Sequence, residues 1–132
     1  MGQPALADFR SLAAVGFVAV VNDRPDNEEA GQPGSAAEEK AARGAGLAYA
    51  HIPVTGPTIT EEDVRRFQAA LATADGPVLA HCKSGSRSLT LHAIGEVLDG
   101  RMTADAVRDF GAAHGFNLAG AEAWLAAHGV RS

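Results

Sequence analysis

The order of apolar patterns predicts an α/β domain with a small, mostly parallel sheet flanked by helices in three layers. Three observations lead there. Residues 17–21, 47–54 and 77–81 are short apolar runs bounded by Gly, Pro, Asn or Asp, as buried strands are. The stretches between and after them carry apolar residues at helical spacing. Strands that alternate with helices run parallel, because each crossover returns the chain to the same end of the sheet. The chain has 132 residues, enough for one domain, taken as 1–132.

The elements follow in order. Residues 5–14 form a first helix with Leu6, Phe9, Leu12 and Ala13 on one face; Asp8 is an alternative N-cap, and Gly16 ends it. Residues 17–21 are unbroken and rich in valine, the pattern of a strand buried on both faces. Residues 22–33 are polar, with two prolines and four acids, and read as a loop. Ser35 followed by Glu38 is a capping-box pattern, opening a helix that runs through Arg43 to Gly44 or Gly46. Residues 47–54 are the second strand, with Pro53 near a sheet rim.

Thr60 opens a further capping-box helix with Asp63 as an imperfect partner. Its stripe is Val64, Phe67, Ala70 and Leu71, and Asp75-Gly76-Pro77 stops it. Residues 77–81 are the third strand, 82–87 a polar turn, and 88–98 a helix with Leu91, Ile94, Val97 and Leu98 inward. Helices over 103–114 and 118–128 end on a His followed by Gly115 or Gly129. Trp124, Phe110 and Phe116 are expected in the core. Three strands make a thin sheet, so a first strand is expected to be shortened or absent.

Composition excludes several function classes. Eleven Lys and Arg against sixteen Asp and Glu leave a net charge of −5, with no basic run, a poor match to nucleic acid or an anionic membrane. No apolar run approaches a membrane span, and the N-terminus lacks the pattern of a signal peptide. One cysteine permits no internal disulfide, which together with these points favours a cytoplasmic location. His51, His92, His114 and His128 show no ligand spacing, so no metal and no other cofactor is expected. There is no Walker loop and no dinucleotide fingerprint.

The informative segment is His81-Cys82-Lys83-Ser84-Gly85-Ser86-Arg87-Ser88, a strand end, a tight turn and a helix start. Backbone N–H groups of such a turn form an anion nest, and the helix N-terminus adds partial positive charge. Arg87 supplies a planar cation able to clamp an oxyanion bidentately. A cysteine at that focus has a depressed pKa and is a nucleophile. Cys82 and Arg87 are therefore the catalytic candidates, with Lys83, Ser84, Gly85, Ser86, Arg87 and Ser88 as the anion-binding set. Ser88 is placed to donate a hydrogen bond to the sulfur. His81 reads as a structural strand-end residue ahead of a general base. Arg24 with Asp26 and Glu28 reads equally as a rim salt-bridge network or a solvated loop.

Two enzyme classes have this cradle. Cysteine phosphatases place five residues between Cys and Arg, and rhodanese-type sulfurtransferases place four. Here there are four, which resembles the sulfurtransferase length, although His81-Cys82 and Gly85 look phosphatase-like. A phosphatase also needs an acid for the leaving oxygen. Residues 52–60, where the phosphatase resemblance would place it, contain none; Asp23 and Asp26 are the substitutes.

Residues 20–29, Gln32-Pro33, residues 49–54 and residues 76–88 together resemble the phosphatase-like domain of β-lactamase hydrolase-like proteins. That resemblance implies a dual-specificity-phosphatase-like fold with a rhodanese-length loop. It implies Cys82 as nucleophile, Arg87 as clamp and residues 83–86 as cradle, with Arg24 and Asp26 matching an Arg-Pro-Asp segment of undefined role. Fusion of some members to sulfide-oxidation domains implies sulfur chemistry. The expected activity is thus a sulfurtransferase forming a Cys82 persulfide from thiosulfate or a small persulfide and passing it to a thiol. A sulfide-oxidation partner in trans goes with it. The alternatives are a phosphatase working on phosphate esters through a phosphocysteine, with Asp23 or Asp26 as acid, and a non-catalytic anion-binding module.

Overall fold

The computed structural model describes residues 2–130. Helix α1 (Asp8–Ala14) precedes strand β1 (Ala19–Asn22), and α2 (Ser35–Gly44) leads to β2 (Ala48–His51). Then come α3 (Glu61–Thr73), β3 (Val78–His81), α4 (Ser86–Leu98), α5 (Val107–Ala113) and α6 (Ala119–Ala127), with short 3-10 turns at 56–58 and 104–106. The three strands are all parallel in the order β2-β1-β3. β1 lies in the centre, pairing Asn22 with both His51 and His81.

Every residue of β1 is buried, because helices cover both faces. Val20 packs with Phe9, Ala42 and Leu47, against α1 and α2. Val21 faces the opposite side, the larger core of Val64, Phe67, Leu91, Ile94, Val107 and Leu125. Two adjacent valines thus serve two cores, as strand alternation requires. The three-layer architecture expected from the sequence is the one observed. Trp124 is in the core, where its indole N–H donates to the Ile59 carbonyl at 2.7 Å, while Phe110 and Phe116 are only partly buried.

Element ends depart from the sequence reading. The first helix starts at Asp8, preceded by Ala7 and not by a side-chain cap. The second strand pairs only over Ala48–His51, after which the chain leaves the ladder. The capping box at Thr60 forms: its hydroxyl accepts from the Asp63 N–H and the Asp63 carboxylate accepts from the Thr60 N–H. The one at Ser35 does not. Gly34 occupies the N-cap with φ of 86°, open to glycine at little cost, and Ser35 is already the first helical residue.

Asp26 caps α2 instead, from the preceding loop. Its two carboxylate oxygens accept from the Ser35 N–H at 2.7 Å and the Ser35 hydroxyl at 2.6 Å. Those two bonds hold its carboxyl below the usual range. Asp26→Ala is expected to cost about 1 kcal/mol of unfolding free energy in a urea titration near neutrality. The difference should shrink as acid protonates Asp26, since a depressed carboxyl stabilises the fold only above its unfolded pKa.

Topology places the site. The chain leaves β1 to form β2 on one side, then crosses to β3 on the other, through α2 and α3 on opposite faces. The carboxyl ends of β1 and β3 therefore diverge into a crevice, where parallel sheets bind ligands. Asp23 and Cys82 are the first residues beyond those two ends.

Candidate active site

β3 runs into Cys82, and Gly85 turns the chain with φ of 100° so that α4 begins at Ser86. That start is two residues earlier than the sequence suggested, and it puts Arg87 and Ser88 in the helix's first turn. A left-handed residue between a strand end and a helix start aims consecutive N–H groups inward. The Gly85 N–H donates to Cys82 Sγ at 3.0 Å. Burial pushes the Cys82 thiol up, but the N–H groups of Ser88, Arg87, Gly85 and Ser84 outweigh it and leave the thiol below its ordinary value. The cysteine side chain is wholly buried. The peptide dipoles thus favour the thiolate form.

The Ser88 hydroxyl does not reach the sulfur as the sequence suggested. It donates to Asp23 Oδ2 at 2.7 Å, and only the Ser88 N–H serves Cys82. Asp23 is fully enclosed, and its Oδ1 is the one buried side-chain polar atom without a hydrogen bond among the described residues. Burial raises its pKa to about 7, against the opposing pull of the Ser88 bond and of Arg87. Asp23 therefore keeps its proton well above the usual carboxylate range. Asp26 lies at the start of α2, committed to Ser35, and supplies no acid to the cradle.

Arg87 is held from the β1–α2 loop. Its Nη1 donates to Glu28 Oε2 at 2.6 Å and to the Val54 carbonyl at 3.0 Å; Nη2 donates to Glu28 Oε1 at 2.9 Å. Glu28 and then the Cys82 charge raise the Arg87 pKa, and Arg87 in turn holds the Glu28 carboxyl at about 2. Behind Glu28 lies Arg24, only 2% exposed. Arg24 donates to Glu28 Oε1 (2.9 Å), Glu29 Oε1 (2.9 Å) and the Gln3 side-chain Oε1 (3.1 Å). Lys83 is exposed, with its ammonium 3.2 Å from Glu29. Ser84 and Ser86 share a contact between their hydroxyls at 3.3 Å on the outside of the turn.

His81 is buried under the cradle and meets Glu38 Oε2 at 2.8 Å. Glu38 also accepts from Gln3 Nε2 and from the Tyr49 hydroxyl. The Asn22 amide donates to that same hydroxyl, and Asn22 Oδ1 accepts from the Arg24 N–H. His81 is thus held between Glu38 and the Cys82 carbonyl at the end of β3. The buried residues Asn22, Arg24, Glu38 and His81 are linked through Gln3 and Tyr49, and the Asp23–Ser88 pair joins them through the Asp23 N–H bond to the His81 carbonyl.

Most sequence-predicted residues come together here: Cys82, the 83–88 turn, Arg87, His81, Asp23 and Arg24. Asp26 does not. Sequence reasoning gave Glu38 to a helix cap and left Glu28 on a rim. The Arg24–Glu28 spacing carried a weak signal for the second; nothing local carried one for the first. Among the described residues no cluster of His, Cys, Asp or Glu could hold a metal, and no helix is long and apolar enough to cross a membrane.

Known proteins share this fold in varying degree. A Neisseria meningitidis protein described as a candidate phosphatase superposes with a TM-score of 0.82 at 32% identity, over 94% of this chain and 87% of its own. A candidate phosphatase from Shewanella putrefaciens gives 0.64 at 29%, over 76% and 62%. Pseudomonas aeruginosa TpbA, at 20% identity and a TM-score of 0.58, shares the fold. Tk-PTP, at 21% identity and a TM-score of 0.58, shares it as well.

By sequence, the chain is 56% identical over 124 residues to the beta-lactamase hydrolase-like protein of Agrobacterium fabrum, and 50% over 131 residues to that of Xylella fastidiosa. It covers 94% and 99% of itself in those matches but spans only 29% and 30% of the two relatives. The profile of one family matches residues 1–99, from the first helix through the cradle and α4. The chain belongs to that family, the phosphatase-like domain of beta-lactamase hydrolase-like proteins.

Proposed function

We propose that this domain is a cysteine-dependent phosphatase acting on phosphate monoesters. The observation that carries the reading is the convergence of four backbone N–H groups and the Arg87 guanidinium on a buried cysteine of lowered pKa. The phosphatase-type fold and the similarity to candidate phosphatases support it over other uses of such a thiolate.

In this mechanism the Cys82 thiolate attacks phosphorus. An S–P bond forms and the ester P–O bond breaks, while the cradle N–H groups and Arg87 hold the non-bridging oxygens. Water then attacks the phosphocysteine, releasing inorganic phosphate and returning the thiolate. Asp26 caps a helix and Glu28 is held ionised, so neither donates a proton. Asp23 keeps a proton near neutrality but points at Ser88. The reading therefore favours leaving groups that depart with little protonation, aryl esters ahead of alkyl esters.

Sulfur transfer is the second reading, and one observation favours it: only four residues separate Cys82 from Arg87. There Cys82 would attack the outer sulfur of thiosulfate, form a persulfide and release sulfite, and a thiol would take the sulfur. One preparation tests both. Reduced protein is given an aryl phosphate, and separately thiosulfate. Catalytic phenol release, with no lasting mass increase after thiosulfate, supports the phosphatase. A one-sulfur adduct that cyanide removes, without phenol release, replaces it with the second reading.

A further inference from the structure

The Arg87 guanidinium has five N–H donors, and Glu28 and Val54 take three of them. Glu28 takes one hydrogen from each terminal nitrogen, gripping the guanidinium end-on. The Val54 carbonyl takes the other hydrogen of Nη1. What remains is the Nε–H and the outer hydrogen of Nη2, which lie along the same edge of the plane. Two parallel donors on one edge fit two oxygens of a tetrahedral oxyanion. The guanidinium also hydrogen-bonds to Cys82, so the edge left free by Glu28 and Val54 faces the nucleophile.

Glu28 is held in turn. Arg24, enclosed by the fold, donates through Nε to the same Oε1 that accepts from Arg87. Arg24 is fixed by Gln3 and Glu29, and its N–H is bonded to Asn22 at the end of the central strand. The chain of contacts runs from the sheet, through Arg24 and Glu28, to Arg87. A carboxylate between two guanidinium groups keeps its charge and its place without crossing the free edge.

We infer that Glu28, backed by Arg24, is the positioning residue that presents the free edge of Arg87 to a tetrahedral oxyanion. The inference deepens the proposed function and rests on the anion-binding part of it. Phosphoryl and thiosulfonate groups share the required chemistry, so the test uses both. The opposite role, an internal carboxylate competing for Arg87, would have the opposite sign.

Binding of inorganic phosphate and of thiosulfate is measured by calorimetry in a Cys82→Ser background, where no covalent step follows. Glu28→Gln keeps an acceptor for Arg24 but loses the two-oxygen grip. It is expected to weaken the oxyanion that binds by on the order of tenfold, the loss of one charge-assisted anchor. Glu29→Gln removes the same charge from the same loop without touching Arg87, and is expected to bind as the parent or tighter. With Cys82 restored, the iodoacetamide alkylation rate of Glu28→Gln should match wild type, because peptide N–H groups set the thiolate. A collapsed loop would alter that rate and the melting temperature together, and Glu28→Asp, which keeps the carboxylate, would then fail to recover binding. Unchanged or tighter binding in Glu28→Gln, or an altered alkylation rate, overturns the inference alone. A parent that binds neither anion overturns it together with the anion-binding reading.

Discussion

Asp23→Asn is expected to gain stability over the wild type as pH rises, by up to roughly 4 kcal/mol between pH 4 and pH 8. That figure is the shift from 3.8 to about 7 converted at about 1.4 kcal/mol per pH unit. The direction follows from proton counts. An unfolded chain loses the Asp23 proton near its ordinary pKa, whereas the folded chain keeps it to about 7. Between those values the folded state binds more protons, so raising the pH works against folding, and above 7 the penalty is constant. Asparagine still accepts the Ser88 hydroxyl but has no charge to bury. Urea titrations of both proteins at intervals from pH 4 to 8 read the difference directly. A difference that stays flat with pH would mean that Asp23 is ionised in the fold throughout.

The second large effect is on turnover. Cys82→Ser is expected to lower kcat/KM for an aryl phosphate on the order of 10⁴-fold or more, the usual consequence of removing a covalent nucleophile. Arg87→Lys should lose roughly 10²–10³-fold, because an ammonium keeps the charge but not the paired donors. The lysine would also leave Glu28 without its two-point partner. The two variants are separable by intact mass under substrate. Arg87→Lys should still form the thiol-linked intermediate slowly, and Cys82→Ser should form none. A Cys82→Ser enzyme that retains full turnover would remove the cysteine mechanism altogether.

Much of this architecture is legible in the chain. The valine-rich run around Val20 and Val21 signals a strand covered on both faces, and the two cores behind those residues are why the signal is clean. The cradle was legible because its chemistry is local: Cys82, Gly85 and Arg87 lie within one turn of chain. Its supports were not, because they are tertiary. Glu38 is 43 residues from His81, and Glu28 is 59 from Arg87. Ser35 and Glu38 have the spacing of a capping box, yet a glycine at the cap position and a carboxylate nine residues back replaced it. Released from the cap, Glu38 went to the buried histidine. Ser88 misled for a related reason: its hydroxyl went to Asp23, 65 residues away, and sequence displays only the nearby sulfur.

Cys82 is the sole cysteine of these 132 residues, and its side chain has no exposed surface. The dipoles that favour its thiolate also make it a target for peroxide, which converts thiolates to sulfenic acid. Many such thiols are rescued by a neighbouring cysteine that closes a disulfide and halts further oxidation. None is encoded here. Recovery must come from a thiol outside these 132 residues, slim enough to reach the sulfur past the ionic ladder of Arg87 and Glu28.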